Sequence, residues 1–308
     1  MESFRRKSMK KKHRLARIGK SDRIFYILSG IFLMALLIVV LYPIIFVLAA
    51  SFSSGQAVSA GRVFLWPVDF SLEGYGIVFK NGDILRGFGN SIFYTVFGTL
   101  INIVITMITA YVLSRNDVPG HNQFMILFTF TMFFNGGMIP NYMLLKNLHM
   151  LDTIWSMLIP GALGVYNMII ARTFIRDSIP GEILDAAQID GCSDIRYFTS
   201  IVLPLSKAII AVLILFYGIG HWNSYFNPML YLNTREMYPL PIILKEILIA
   251  NQIDMSTVTD PELQLRIAQT ADVIKYALIV VSTIPVIIIY PFVQKYFVKG
   301  VMIGSVKG

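Results

Sequence analysis

Residues 178–206 read SIPGEILDAAQIDGCSDIRYFTSIVLPLS, a polar and charged island between two long apolar runs. Its order is specific: Asp185-Ala186-Ala187, Gly191 four residues after Ala187, nine residues, then Ile201-x-Leu203-Pro204. The residue types predict two short helices. Pro180 suits a first-turn position, where its missing N–H costs nothing, and Glu182 and Asp185 near that end favour the helix dipole. Ala186 and Ala187 keep one face flat, which permits close approach by another surface. Gly191 can take positive φ and stop the first helix. Ser193 can cap the second, with Asp194 in its first turn, and Pro204 marks entry to the next apolar run. On residue types alone, a docking surface and an amphipathic loop lying on a membrane leaflet are equally good readings.

The flanking runs decide the fold class. Of 308 residues 56% are hydrophobic and only 14% charged, too apolar for an ordinary soluble domain. Six segments approach the roughly 20 apolar residues needed to cross a bilayer: 24–50, 89–114, 124–145, 154–174, 208–232 and 273–297. Each run is continuous rather than alternating, so an all-α polytopic membrane protein with six transmembrane helices is expected. The first apolar stretch is too long for a cleaved signal peptide and reads as a retained helix. The lone Cys192 excludes a disulfide framework.

Charge then orients the chain. Ten of the 26 Lys and Arg lie before residue 24. With both termini in the cytoplasm, 18 of the 26 fall inside, as the positive-inside rule prefers. The expected division is a basic cytoplasmic tail 1–23, a first helix 24–50, an extracellular loop 51–88, a membrane core 89–297 and a cytoplasmic tail 298–308. Within the core, 178–206 is internal and the loop 233–272 external. The basic tail is a topology signal that also meets anionic lipid headgroups, and no nucleic-acid partner is expected.

Several chemistries lack their residues. There is no GxxxxGK[ST] phosphate loop, no GxSxG and no HExxH, and His13, His121, His149 and His221 stand in no metal-binding spacing. Neither a metal site nor a cofactor is expected in this chain. The expected spans carry no acid or base near their centres, which weighs against a proton-coupled carrier. An enzyme is disfavoured, and a standalone channel or scaffold stays open on composition.

The spacing in the island resembles the EAA loop of ABC-importer permeases, E-A-A-x3-G-x9-I-x-L-P. Every gap matches, and only Asp185 departs, standing for Glu, with Glu182 one turn earlier. Further stretches resemble the carbohydrate-uptake permeases: Asn90-Ser91, FNGGMIPNYMLLKNLHMLDTIW (134–155), IIARTFIRDSIPGEI (169–183), GHWNSYFNPMLYL (220–232) and FVKGVMIGSVKG (297–308). They look closest to the LplC/YtcP-type branch, related to the smaller permease subunit of the maltose transporter. The resemblance implies a type I importer fold (MetI-like) in a bacterial plasma membrane. It implies a second homologous permease, an ABC ATPase dimer that binds ATP and Mg, and an extracellular solute-binding protein. It gives Pro180, Glu182, Asp185, Ala186, Ala187, Gly191, Ile201, Leu203 and Pro204 to ATPase coupling. The cargo implied is a carbohydrate, in particular an oligosaccharide; a non-sugar solute is the alternative.

Candidates for the translocation path are His221, Trp222, Asn223, Tyr225 and Asn227, with Ser224 among them. Amides bond sugar hydroxyls, and aromatic rings pack on the apolar faces of pyranoses. At helical spacing Asn223 and Asn227 would share one face, and His221 and Tyr225 another. The alternative is that these polar groups join helices, as Gly218 and Gly220 would permit. Asn102, Asn135, Tyr142 and Asn167 lean further toward packing.

Overall fold

The computed structural model describes residues 19–253 and 261–304. Most of the basic tail 1–23, the end of the 298–308 tail and the middle of the loop 233–272 lie outside the described residues. Those described form helices and connections without a strand. In chain order the helices are α1 (Lys20–Ser51), α2 (Gly55–Ser59), α3 (Glu73–Lys80), α4 (Gly82–Ser114), α5 (His121–Phe133), α6 (Met138–Asn147), α7 (Trp155–Leu158) and α8 (Val165–Ser178). The polar island follows as α9 (Gly181–Ile189), α10 (Asp194–Tyr197), a π-helical turn (Phe198–Val202) and α11 (Leu203–Leu205). After it come α12 (Lys207–Trp222), α13 (Phe226–Tyr231), α14 (Leu240–Ile253) and α15 (Pro261–Gly304).

Six unbroken crossings were expected; the described residues contain three helices long and apolar enough to cross a membrane. These are Ser21–Ser51, Gly82–Ser114 and Gln269–Ile289, and the number becomes five if each bent pair is one crossing. The reason is backbone punctuation inside apolar sequence. α5 and α6 meet at 112°, where Gly137 has φ +89° and Asn135 accepts its N–H at 2.9 Å. The 154–174 stretch is divided by Pro160 and Gly161, the latter at φ +79°, between α7 and α8. The 208–232 stretch breaks after Trp222, and the α10–α11 run meets α12 at 79°. The 51–88 stretch is partly helical, since α4 starts at Gly82 rather than 89.

α4 is the central element, packed against α8, α12 and α14. Asn81 starts it, its side-chain oxygen accepting the N–H groups of Asp83 and Ile84 at 3.0 and 3.2 Å. The core on its lower half joins Met107, Ala110, Tyr111 and Leu113 to Met168, Ile175, Ile209 and Leu213. α1 differs. None of its most apolar window is buried, and among the described residues its buried positions lie in its last turns, where Phe46 meets Tyr276 edge-on at 5.7 Å.

At the upper end of α4, the segment 233–240 is clamped by side chains. Asn90 donates to the carbonyls of Glu236 and Tyr238 at 2.7 and 3.0 Å, and Tyr94 to that of Met237 at 3.0 Å. Ser91 accepts the Leu240 N–H at 2.9 Å, and Arg235 pairs with Asp83 at 3.0 Å. From the 148–154 loop, Asp152 accepts the N–H groups of Asn233 and Thr234, both at 2.8 Å, and the Thr234 hydroxyl at 2.6 Å.

Two outcomes follow from this packing. A Cβ on Gly74 would lie 2.6 Å from Val273 Cγ1 and 2.7 Å from the Val273 carbonyl oxygen, and the backbone of α15 cannot yield. Gly74→Ala should destabilise the detergent-solubilised protein by about 1–3 kcal/mol, despite alanine's helix preference. Gly76→Ala, with nothing within 4 Å, should be neutral or stabilising; thermal unfolding compares the two.

The second outcome is a pH dependence. Hydrogen bonds from the Thr234 hydroxyl, foremost, and from the Thr234 and Asn233 N–H groups hold the Asp152 carboxyl below its ordinary pKa. A depressed carboxyl contributes stability present above its unfolded pKa and lost as pH falls through the folded value. The anchor is therefore complete at neutral pH and fails only on acidification below about 4. Amide exchange, corrected for intrinsic rate, should find Asn233 and Thr234 protected down to that pH in the wild type and unprotected throughout in D152A.

Candidate functional site

The polar island forms an elbow at the lower end of the bundle. Pro180 is the residue preceding α9, at φ −59°, one position ahead of the first-turn place expected, and Glu182 lies in the first turn. α9 stops at Ile189. Gly191 then takes φ +72°, while its N–H reaches the Gln188 carbonyl at 3.0 Å and that of Cys192 reaches Ala187 at 2.9 Å. A Cβ at Gly191 would meet nothing within 4 Å, so the backbone conformation alone demands glycine. Ser193 caps α10 by accepting the Arg196 N–H at 3.4 Å.

The two alanines do not share a face. Ala187 is buried in the core cluster under α9, whereas Ala186 is exposed. Successive helical residues point about 100° apart, so a flat face made of both was unavailable. The outward set is Glu182, Asp185, Ala186 and Gln188. Leu184, Cys192, Ile201 and Leu203 pack against the bundle, and Pro204 is exposed before the bend into α12. The elbow also exposes two residues that sequence reasoning missed, Ile189 at 87% and Ile195 at 78%. Their signal was visible: two isoleucines flanking the turn, outside the apolar period of either helix.

Higher in the bundle, a cavity of about 180 Å³ is lined by Tyr94, Asn102, Tyr217, His221, Ser224 and Asn227, among others. Asn102 Nδ2 donates to the carbonyls of Gly161 and Ala162, both at 2.9 Å. Its Oδ1 therefore faces His221 Nε2 at 2.6 Å, and the imidazole is the donor of that bond. Gly98 makes room for the ring, since a Cβ there would lie 2.5 Å from it.

The candidates from 221–227 separate. His221, Ser224 and Asn227 line this cavity. Trp222 is buried on another side, its indole N–H donating to the Ser282 carbonyl at 3.0 Å and its ring edge-on to Phe88 at 5.6 Å. Asn223 opens instead onto a neighbouring cavity of about 250 Å³ with Trp222, Leu244 and Ser282. Tyr225 is exposed under the Lys245 ammonium, 5.8 Å from its ring centre. The expected pairings fail because α12 ends at Trp222, so helical spacing does not carry across to α13. Tyr142 stacks near Tyr231 at 6.4 Å, and Asn135 caps its turn. Asn167 lies beside Gly164, its Nδ2 3.4 Å from where a Cβ on that glycine would sit.

Known proteins resemble this chain in sequence and fold. Residues 118–303, more than half of the chain, match the family described as "Binding-protein-dependent transport system inner membrane component". The chain is 38% identical over 289 residues to Protein LplC of Bacillus subtilis (strain 168), which covers 94% of this chain and 97% of that protein. It is 40% identical over 290 residues to the polygalacturonan/rhamnogalacturonan transport system permease protein YtcP of the same organism, covering 93% and 99%. Its fold is similar to that of a chain in the crystal structure of a bacterial ABC transporter involved in the import of the acidic polysaccharide alginate. That match has a TM-score of 0.82 at 36% identity and covers 91% of this chain and 99% of the other. A polar elbow carrying the EAA spacing, a helical bundle with apolar outer surfaces and these relatives agree: the chain belongs to the inner membrane components of binding-protein-dependent transport systems.

Proposed function

We propose that this chain is a transmembrane permease subunit of an ATP-driven importer for oligosaccharides in the bacterial cell membrane. The observation that carries the reading is the 178–206 elbow, with its EAA spacing, its open Gly191 turn and its exposed Asp185, Ala186 and Ile189. The elbow docks on a cytoplasmic ATPase subunit. Glu182 and Asp185 pair with basic groups there, Ile189 and Ile195 supply apolar contact, and Ala187, Ile201 and Leu203 hold the elbow to the bundle from behind. ATP and Mg bind on the ATPase dimer, and this chain is not itself an enzyme.

In this reading the six segments cross the membrane, two of them bent and one divided, with both termini cytoplasmic. The unburied α1 lies in lipid or against a second, homologous permease. An extracellular solute-binding protein meets the side that carries the 233–240 clamp. Closure of the ATPase dimer draws the elbow with it and turns the bundle from inward- to outward-facing. The cavity at Asn102, His221, Ser224 and Asn227 belongs to the path. Two relatives are named for polygalacturonan/rhamnogalacturonan and for alginate, which supports oligosaccharides bearing carboxylate sugars as cargo.

Docking is tested at the outward alanine. Ala186→Trp faces solvent and should leave membrane insertion unchanged while abolishing ATPase co-purification and uptake. Ala187→Trp should instead fail through overpacking, with low yield of folded chain. Co-purification and uptake that survive in Ala186→Trp would sink the docking role.

The path is tested by two amides. Asn227→Ala should lower oligosaccharide uptake about two- to tenfold, as for one lost hydrogen bond, whereas Asn223→Ala should leave it unaltered. Equal uptake in both variants would return the cavity to a packing role.

A further inference from the structure

α4 runs unbroken from the 233–240 clamp to the polar island, and its lower end closes on Arg115. The Arg115 side chain is only 12% exposed. Its guanidinium divides its donors among three partners. Nε reaches Asp117 at 2.8 Å, with Nη2 on the same carboxylate. Nη1 reaches the Tyr111 hydroxyl at 3.0 Å and also bonds Asp194, the first residue of α10. Tyr111, one turn back on α4, sets its ring against Tyr197 and Phe198, with centroids at 6.2 and 5.2 Å.

Among the described residues α9 gives no hydrogen bond or ion pair to this end of α4, although Leu184 and Ala187 pack in the same core as Tyr111 and Leu113. Between them lies a cavity of about 320 Å³ lined by Arg115, Asp117, Leu184, Asp185 and Gln188, among others. The ion-paired link between the island and this end of α4 therefore passes through α10, beside the hydrogen bond that Arg172 of α8 gives to the Leu113 carbonyl at 2.7 Å. An exposed ion pair by itself holds little. Here the arginine is preset: Asp117 and Tyr111 fix the planar fork, and Asp194 meets donors already aimed at it.

We propose that Arg115 is a positioning residue that hitches the polar island to α4, so that ATPase-driven movement of the elbow reaches the 233–240 clamp along one rigid helix. The proposal rests on the docking reading above. It adds the route by which docking at one membrane face is felt at the other.

The test uses the whole complex (both permeases, the ATPase dimer and the binding protein) in proteoliposomes. D194N weakens only the cross-link, exchanging an ion pair for a neutral amide acceptor, because Arg115 keeps Asp117 and Tyr111 and the Asp194 side chain is 69% exposed. Insertion, ATPase co-purification and basal hydrolysis should persist. Stimulation of hydrolysis by the liganded binding protein should fall about five- to tenfold, within the range of coupling between distant sites, and uptake should fall with it. D194E should restore both. R115K, which keeps the charge but has no fork, should resemble D194N.

Full stimulation in D194N with the ATPase bound overturns the hitch and leaves docking standing. Loss of ATPase binding in D194N overturns it too, because Asp194 would then be a docking residue. Failure of D194N to insert also overturns it, since the pair would then be a folding requirement. Persistent ATPase binding in Ala186→Trp strikes the docking reading instead, so the two failures are distinguishable.

Discussion

The fold depends on one amide side chain. Residues 159–164 interrupt the helical path between α7 and α8, and in apolar surroundings unpaired backbone groups cost several kcal/mol each. Asn102 answers two of them, the carbonyls of Gly161 and Ala162. Tyr217 takes the Gly164 N–H at 3.1 Å and shares a 2.7 Å hydrogen bond with Thr106. Irregular backbone is thus held between α4 and α12 by side chains of those two helices. The side-chain oxygen of Asn102 fixes His221 by accepting from Nε2, and Gly98 gives the imidazole room. The cavity wall is a by-product of satisfying the break.

The fold class was legible in the sequence because continuous apolar runs of membrane length are at home in lipid and costly in water. The breaks within those runs were not. Gly137 and Pro160-Gly161 lie inside long apolar runs, so hydropathy passes over them, and the end of α12 at Trp222 falls among polar residues, His221 and Asn223-Ser224, that a continuing helix could equally carry. The island was legible down to Gly191 and Ser193, since positive φ and capping are local demands that a residue type announces. The inward turn of Ala187 and outward turn of Ala186 depend on where the bundle lies, which no local signal carries. The same limit undid the pairings of Asn223 with Asn227 and of His221 with Tyr225, which assumed a helix that had already ended.

The elbow has two faces with opposite requirements. Its inner residues, Leu184, Ala187, Cys192, Tyr197, Ile201 and Leu203, are packed against the core and make it part of the bundle. Its outer residues, Glu182, Asp185, Ala186 and Ile189, are exposed, with Asp185 also lining the cavity beside α4. An element that transmits displacement must be rigid on the side that pulls and available on the side that is pulled. Alanine serves both sides here for different reasons: at 187 it fits a close-packed site, and at 186 it leaves an approach clear.

α4 has 33 residues, a length of about 50 Å at 1.5 Å per residue, against a hydrocarbon thickness of about 30 Å. Both of its ends therefore stand outside the apolar layer, where Asp83 and Arg115 can keep their charges. The helix cannot shorten to suit a thinner bilayer. Mismatch is met by tilt, and tilting a stiff rod swings its two ends in opposite directions. Lipid thickness consequently enters the geometry of both faces at once, and the surrounding membrane becomes a participant in how they are aligned.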